Sequence, residues 1–316
     1  MATSIGLLVD ATCDLPHEFF RDHEIGVLPV AIRIGQTHLE DRRDPLQTAE
    51  FYRQRYDRRD ALHAETHPMG AAEVAEEILG RWATECDHVI CMTVTAARSG
   101  IFSNTTRAAV EVSSRSRDLR RSHGLPGRCT VTVINTRSMF AGQGVLAWEA
   151  ARLREAGGDA SAMAERLAML ADHLHCYFVA SDLYYLLHRA AKRGDTSVNW
   201  TAYAVGKALD LKPILLCHQD NTGPVAKSWG FNAGVRKVFD NTLAQVEAGL
   251  LVPCVCVSYG GDLAELEKLS GFAAFRRRIE AAGVELLVCQ MSKTGAVNVG
   301  AGGLSVAFAA ERHKFS

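Results

Sequence analysis

No stretch of this 316-residue chain stays apolar for the roughly twenty residues a membrane helix needs. The opening run Ile5 to Val9 stops at Asp10, and the run from Leu250 to Val257 is interrupted by Pro253. No basic segment precedes the first run, so an export signal is not expected and a cytoplasmic location is. The nine cysteines include no C-x-x-C pair. Cys254 and Cys256 stand two apart inside an apolar run, a pattern of buried thiols rather than of a zinc site. An excess of one charge is missing too: 35 Lys and Arg against 36 Asp and Glu leave −1, without the electrostatic footprint of a nucleic-acid binder. The twelve histidines are scattered without H-E-x-x-H, and G-x-S-x-G is absent, so no metal, cofactor or hydrolytic constellation is expected.

What is present is apolar mass. With 47% hydrophobic and 22% charged residues the chain can bury a sizeable core, and its length suits two domains. Short β-branched runs at Ile5–Val9, Gly26–Ile34, His88–Thr93 and Thr130–Ile134 alternate with helical periodicity at Gly70–Cys86, Ser103–Ser113 and Ser138–Ala156. That rhythm predicts a doubly wound, Rossmann-like parallel sheet over residues 1–157. Beyond Gly157-Gly158 a less regular pattern predicts a second α/β domain with a mixed sheet, residues 158–316. Its expected helices are Ala160–His173, Leu183–Arg193 and Leu263–Ala282; its strands are Cys176–Ala180, Lys212–Cys217, Val252–Tyr259, Val284–Cys289 and Leu304–Ala309. The arginine-rich stretch 113–128 reads as a solvated surface loop.

In a doubly wound sheet ligands gather beyond the carboxyl ends of the strands, which directs attention to strand-end loops. After the first strand come Asp10 and Thr12, which could serve a site, and Asp14, which with Thr12 could instead cap the helix that follows. After the third come Thr93, Thr95, Ser99 and Gly100 ahead of a helix, hydroxyls at a helix start where unpaired N–H groups favour an anion. Thr66, before His67-Pro68, is expected in a fixed polar turn. Near the C-terminus Asn298-Val299-Gly300-Ala301-Gly302-Gly303 reads as a glycine-rich turn entering the last strand, where backbone can approach backbone closely.

Taken in order, these segments resemble the DegV family of bacterial fatty-acid-binding proteins. The resemblance rests on Val9-Asp10-Ala11-Thr12-Cys13-Asp14-Leu15-Pro16, Val27-Leu28-Pro29-Val30, Thr66-His67-Pro68 and Ser99-Gly100. It continues through Asp182-Leu183-Tyr184-Tyr185-Leu186, Leu211-Lys212-Pro213-Ile214-Leu215 and Val299-Gly300-Ala301-Gly302-Gly303-Leu304, over essentially the whole chain. It implies a non-catalytic protein that holds a long-chain fatty acid, its carboxylate at the domain junction and its tail in an apolar tunnel. It also implies a partner, a dihydroxyacetone-kinase-like subunit that phosphorylates the bound acid. On this basis Thr66, Ser99, Gly100 and Asn298 are the expected carboxylate ligands, with Asp10, Thr12, Thr95 and Lys212 as further candidates. Asn298 stands where the family has a histidine, and an amide donates a hydrogen bond without carrying charge. Two other readings are an enzyme acting on a small phosphorylated or carboxylated metabolite, with Asp10 as general base, and a divergent regulatory relative with an altered ligand.

Overall fold

The computed structural model describes residues 4–56, 64–182 and 210–315. Strands β1 (Ile5–Asp10), β2 (Ile25–Leu28), β6 (His88–Thr93) and β7 (Thr130–Asn135) form an all-parallel sheet in the order β2-β1-β6-β7. In β1 and β6 five consecutive residues are buried, which requires cover on both faces. That cover comes from α3 (Ala71–Glu77, prolonged through a π-helical turn at Ile78–Trp82 to Glu85), α4 (Ile101–Ser122), α5 (Ala141–Glu155) and α6 (Ala160–Ala171). The doubly wound reading holds. The expected strand Gly26–Ile34 is two strands: Pro29 has no N–H to continue the ladder, and beyond it β3 (Val30–Ile34) leaves for another sheet.

That second sheet is small and antiparallel, β4 (Thr37–Asp41), β3 and β5 (Glu65–Pro68) in the order β4-β3-β5. Thr66 is therefore in a strand rather than a turn, opposite Ile32. Strand β3 alternates strictly, with Val30, Ile32 and Ile34 buried and Ala31 and Arg33 exposed. Ile32 and Ile34 pack with Phe51 of α2 (Pro45–Arg53) and with Ala296 and Val297 of α10 (Lys293–Val299).

The third sheet is mixed, as expected for the second half. It comprises β8 (Leu174–Val179), β9 (Leu211–His218), β10 (Asn221–Trp229), β11 (Cys254–Tyr259), β12 (Glu285–Gln290) and β13 (Leu304–Ala309), in the order β10-β9-β8-β13-β11-β12. Only β11 and β12 run parallel. Strand β10 escapes a pattern reading because Gly223 and Pro224 interrupt it; an edge strand with a register shift between Pro224 and Ala226 accommodates both. One face packs on α7 (Phe231–Ala248) and α9 (Phe272–Ala281) through Phe239, Phe272 and Phe275. The helix expected over 263–282 is broken into α8 (Leu263–Glu267) and α9 by Gly271, at φ 93°. The other face packs on α5, which also packs on β1 and β6. Every residue from Ala141 to Ala151 is buried, because this helix is the layer between two sheets.

The arginine-rich stretch is a further correction. Helix α4 continues through it to Ser122, and Arg120, 3% exposed, donates to the carbonyls of Ala83 (3.0 Å), Cys86 (2.8 Å) and Pro126 (3.1 Å) while pairing with Asp87. Arginine is a good helix former, and composition alone does not separate an exposed arginine from one that ties loops together. All nine cysteines are buried and free of disulfides. Among the described residues no helix is long and apolar enough to cross a membrane. The helix expected over Leu183–Arg193 lies outside the described residues.

Candidate functional site

Strand β1 delivers Asp10 to the carboxyl edge of the parallel sheet, but not to solvent. It is fully buried, and its carboxylate accepts from the Thr12 N–H (2.9 Å) and hydroxyl (2.5 Å), the Val94 N–H (2.6 Å) and Gln143 Nε2 (3.2 Å). Burial pushes its carboxyl up while these donors hold it back. Asp10 thus fixes the loops after β1 and β6, and a general base needs an accessible lone pair that it does not offer. Asp14 does not cap α1 (His17–Asp22), whose N-cap is Pro16. It accepts instead from the Ser258 hydroxyl (2.7 Å) and the Ser292 N–H (2.9 Å), with Arg43 beside it at 3.4 Å.

A second buried aspartate aims α10. Asp41 accepts from the Thr294 N–H and hydroxyl, both at 2.8 Å, while Lys293 Nζ donates to the Glu40 carbonyl (2.6 Å) and Ser292 caps the Gly295 N–H (3.0 Å). With its start held this way, the helix carries Asn298 on its final turn. The sequence placed Asn298 in a glycine-rich turn; the turn begins only after Val299, because Gly300 at φ 90° ends the helix. One Nδ2 proton of Asn298 goes to the Thr294 carbonyl (2.7 Å), and the side chain is half-buried. The turn itself presses against the end of β11, with Gly260 N–H donating to the Gly303 carbonyl and Gly302 N–H to the Gly260 carbonyl, both at 2.7 Å. A Cβ on Gly260 would lie 3.2 Å from the Gly300 oxygen, so close backbone approach is the reason for these glycines.

Thr66 directly opposes Ile32 across an antiparallel pair, so both side chains lie on one face, and Ile32 packs with Ala296 and Val297. Asn298 is the next residue along that helix. The start of α4 is tied to the same region by Asn104, whose Nδ2 donates to the Met69 carbonyl (2.7 Å) just beyond β5. At that start the Ser99 hydroxyl accepts from the Ile101 N–H (3.2 Å), while the N-cap residue of the 22-residue helix, Gly100, has no side chain to offer and is exposed with open space around it. Unpaired N–H groups and the helix dipole both favour an anion there.

The structure therefore links the elements bearing Thr66, Ser99, Gly100 and Asn298. The other candidates are engaged elsewhere. Thr12 donates to Asp10. The Thr95 hydroxyl donates to Asp220 Oδ1 (2.6 Å). Lys212 Nζ, at the start of β9, faces Asp210 at 3.1 Å. Asp41 and Asp220 were not singled out from sequence; for Asp220 the turn signal Asp220-Asn221-Thr222-Gly223 between two strands was available. Neither of two surface cavities of about 500 and 490 Å³, one beside Lys237 and Phe315 and one beside Arg21 and Arg43, takes in Thr66, Ser99 or Asn298.

A family profile described as "Uncharacterised protein, DegV family" matches residues 4–311. Over 312 residues the sequence is 43% identical to a DegV domain-containing protein of Xanthomonas axonopodis pv. citri, covering 99% of both chains. The fold matches a DegV lipid-binding protein of Thermotoga maritima with a TM-score of 0.74 at 17% identity, covering 98% of this chain and 100% of that one. It also matches the Streptococcus pneumoniae fatty acid kinase B3 protein loaded with linoleic acid, with a TM-score of 0.70 at 14% identity and the same coverage.

Proposed function

Since this chain belongs to the DegV family, we propose that it binds a long-chain fatty acid without transforming it and presents the carboxylate to a separate kinase subunit. The observation that carries the reading is the open start of α4 at Ser99–Gly100, tied through Asn104 to the end of the strand bearing Thr66. The Thr66 and Ser99 hydroxyls, the Gly100 N–H and the free Asn298 amide proton supply neutral donors to the carboxylate. No basic side chain is needed. Burying a sixteen-carbon tail at ~0.8 kcal/mol per methylene contributes roughly ten kcal/mol before the entropy costs of association, so the tail governs affinity and an amide can replace a cation at the head. The lipid- and fatty-acid-binding descriptions of structural relatives, and the kinase name of one of them, support the ligand class and the partner.

The test is native mass spectrometry on delipidated protein incubated with mixed fatty acids. We expect adducts of long-chain acids, and binding weaker by about tenfold or more in Ser99→Ala, the loss of one hydrogen bond to a charged acceptor. Protein that stays empty after incubation would refute the assignment.

A further inference from the structure

Beyond the carboxyl ends of β6 and β7 the parallel sheet meets a carboxylate that comes from the mixed sheet, that of Asp220. Asp220 sits at the tip of the β9–β10 hairpin, with Gln219 and Asp220 both in the left-handed region at φ 50° and 67°. Its Oδ1 accepts from the Thr95 hydroxyl (2.6 Å) and Asn135 Nδ2 (3.0 Å), its Oδ2 accepts from Arg137 Nε (2.8 Å), and its own N–H donates to the Arg137 carbonyl (3.1 Å). Arg137 is itself at φ 54° and also pairs with Asp172. Partial burial works to raise the Asp220 carboxyl, yet the donors Thr95, Asn135 and Arg137 hold it below its ordinary range.

The groups that Asp220 holds are the ones that hold the approach to Ser99. The Thr95 hydroxyl accepts from the Ala97 N–H (3.4 Å), and the Thr95 carbonyl accepts from the Arg98 N–H (3.0 Å). Asn135 Oδ1 accepts from the N–H groups of Ala96 (3.1 Å) and Arg137 (3.0 Å). Residues 95–98 are thus anchored to Asp220 directly or through one intermediary, and the chain then enters Ser99 and Gly100. We propose that Asp220 is a positioning residue for the anion-binding turn at Ser99–Gly100, a carboxylate supplied by the six-stranded sheet that preorganises a donor site on the parallel one. This rests on the fatty-acid reading above. Charge-assisted bonds converging from three side chains suit such a role, because a site fixed in advance loses less entropy on binding.

A double-mutant cycle tests it on the full-length chain, with displacement of a fluorescent long-chain fatty acid as the readout. In the wild-type background Ser99→Ala should weaken binding about tenfold. In an Asp220→Ala background, itself about tenfold weaker, Ser99→Ala should cost almost nothing further, whereas Thr66→Val should cost the same in both backgrounds. A residue that serves stability alone would lower the unfolding midpoint and leave the Ser99 and Asp220 effects multiplicative. That result, or unchanged affinity in Asp220→Ala, overturns the proposal. If Asp220→Ala does not fold, Asp220→Asn carries the same cycle, keeping an oxygen for Thr95 while losing the ion pair with Arg137. Wild-type protein that takes up no probe would defeat the fatty-acid reading itself, a result distinct from multiplicative effects in a protein that binds.

Discussion

His175 is 2% exposed and lies among other titratable rings, stacked on His218 at 4.2 Å and tilted against His313 at 4.4 Å between ring centres. Burial, together with His218, His313 and His173, pushes it down to about 3, and His218 is lowered in the same direction. Tyr177, whose hydroxyl meets His313 Nε2 at 2.9 Å, and Arg312 and Glu311 complete the charged and titratable surroundings. A histidine held neutral in the fold and protonated in the unfolded chain gives stability that is complete above the unfolded value near 6.5 and is lost as pH falls towards 3. The unfolding free energy from urea titrations should therefore drop between pH 7 and pH 5, with a slope approaching about 1.4 kcal/mol per pH unit for each proton gained on unfolding. The His175→Asn variant, which keeps a donor near the His173 carbonyl that Nδ1 now meets at 2.9 Å, should show a shallower slope. Equal slopes in both proteins would show that this ring is not what resists acid.

At the scale of elements, α5 is the helix on which the architecture turns. Its sequence, Ala141-Gly142-Gln143-Gly144 onward, has two glycines where an exposed helix gains from alanine, and the reason is spatial. A Cβ on Gly144 would lie 2.4 Å from the backbone oxygen of Asp14, in the loop after β1 of the parallel sheet, and 3.2 Å from Cys256 Sγ on β11 of the mixed sheet. Gly144→Ala should therefore destabilise by about 2 kcal/mol, the scale of overpacking a tight core, instead of stabilising by the ~1 kcal/mol of helix propensity. Thermal unfolding of the variant decides the sign. Strand β5 shows how little of an element can be visible in sequence: four residues, Glu65–Pro68, without alternation, paired only because Pro29 sends β3 away from the parallel sheet. Helix α10 was equally hidden, because seven residues, Lys293–Val299, with a glycine inside and another just after look like a loop until Asp14 and Asp41 are seen holding its start.

For the molecule as a whole, one apolar cluster joins Leu7 and Ile90 of the parallel sheet to Cys176, Phe178, Cys217 and Cys256 of the mixed sheet. Trp148 of α5 donates to Glu285 of β12 at 2.9 Å, and α6, just past Gly157, packs on β6 and β7. With the two halves sharing a core, urea unfolding followed by far-ultraviolet dichroism and by tryptophan fluorescence should give one coincident transition. Two separated transitions would mean that the halves fold independently.

The sequence by itself determined what depends on local periodicity and composition. Uninterrupted β-branched runs separated by amphipathic helices required a covered parallel sheet, balanced charge argued against a nucleic-acid surface, and the ordered motifs from Asp10 to Leu304 pointed to the family. Tertiary structure alone decided what depends on the far end of a contact. Asp10 and Asp220 have the same side chain, both beside strand ends; one is sealed by its own loop together with the loop after β6 and Gln143 of α5, and the other reaches across from another sheet, because only the packing of the two sheets on α5 sets which donors each carboxylate meets. Pairing of Thr66 with Ile32, and packing of Ile32 on the helix bearing Asn298, likewise joins strand β5 to residues more than two hundred positions away. No local pattern encodes that juxtaposition, since it arises from burying apolar faces that the chain brings together only when folded.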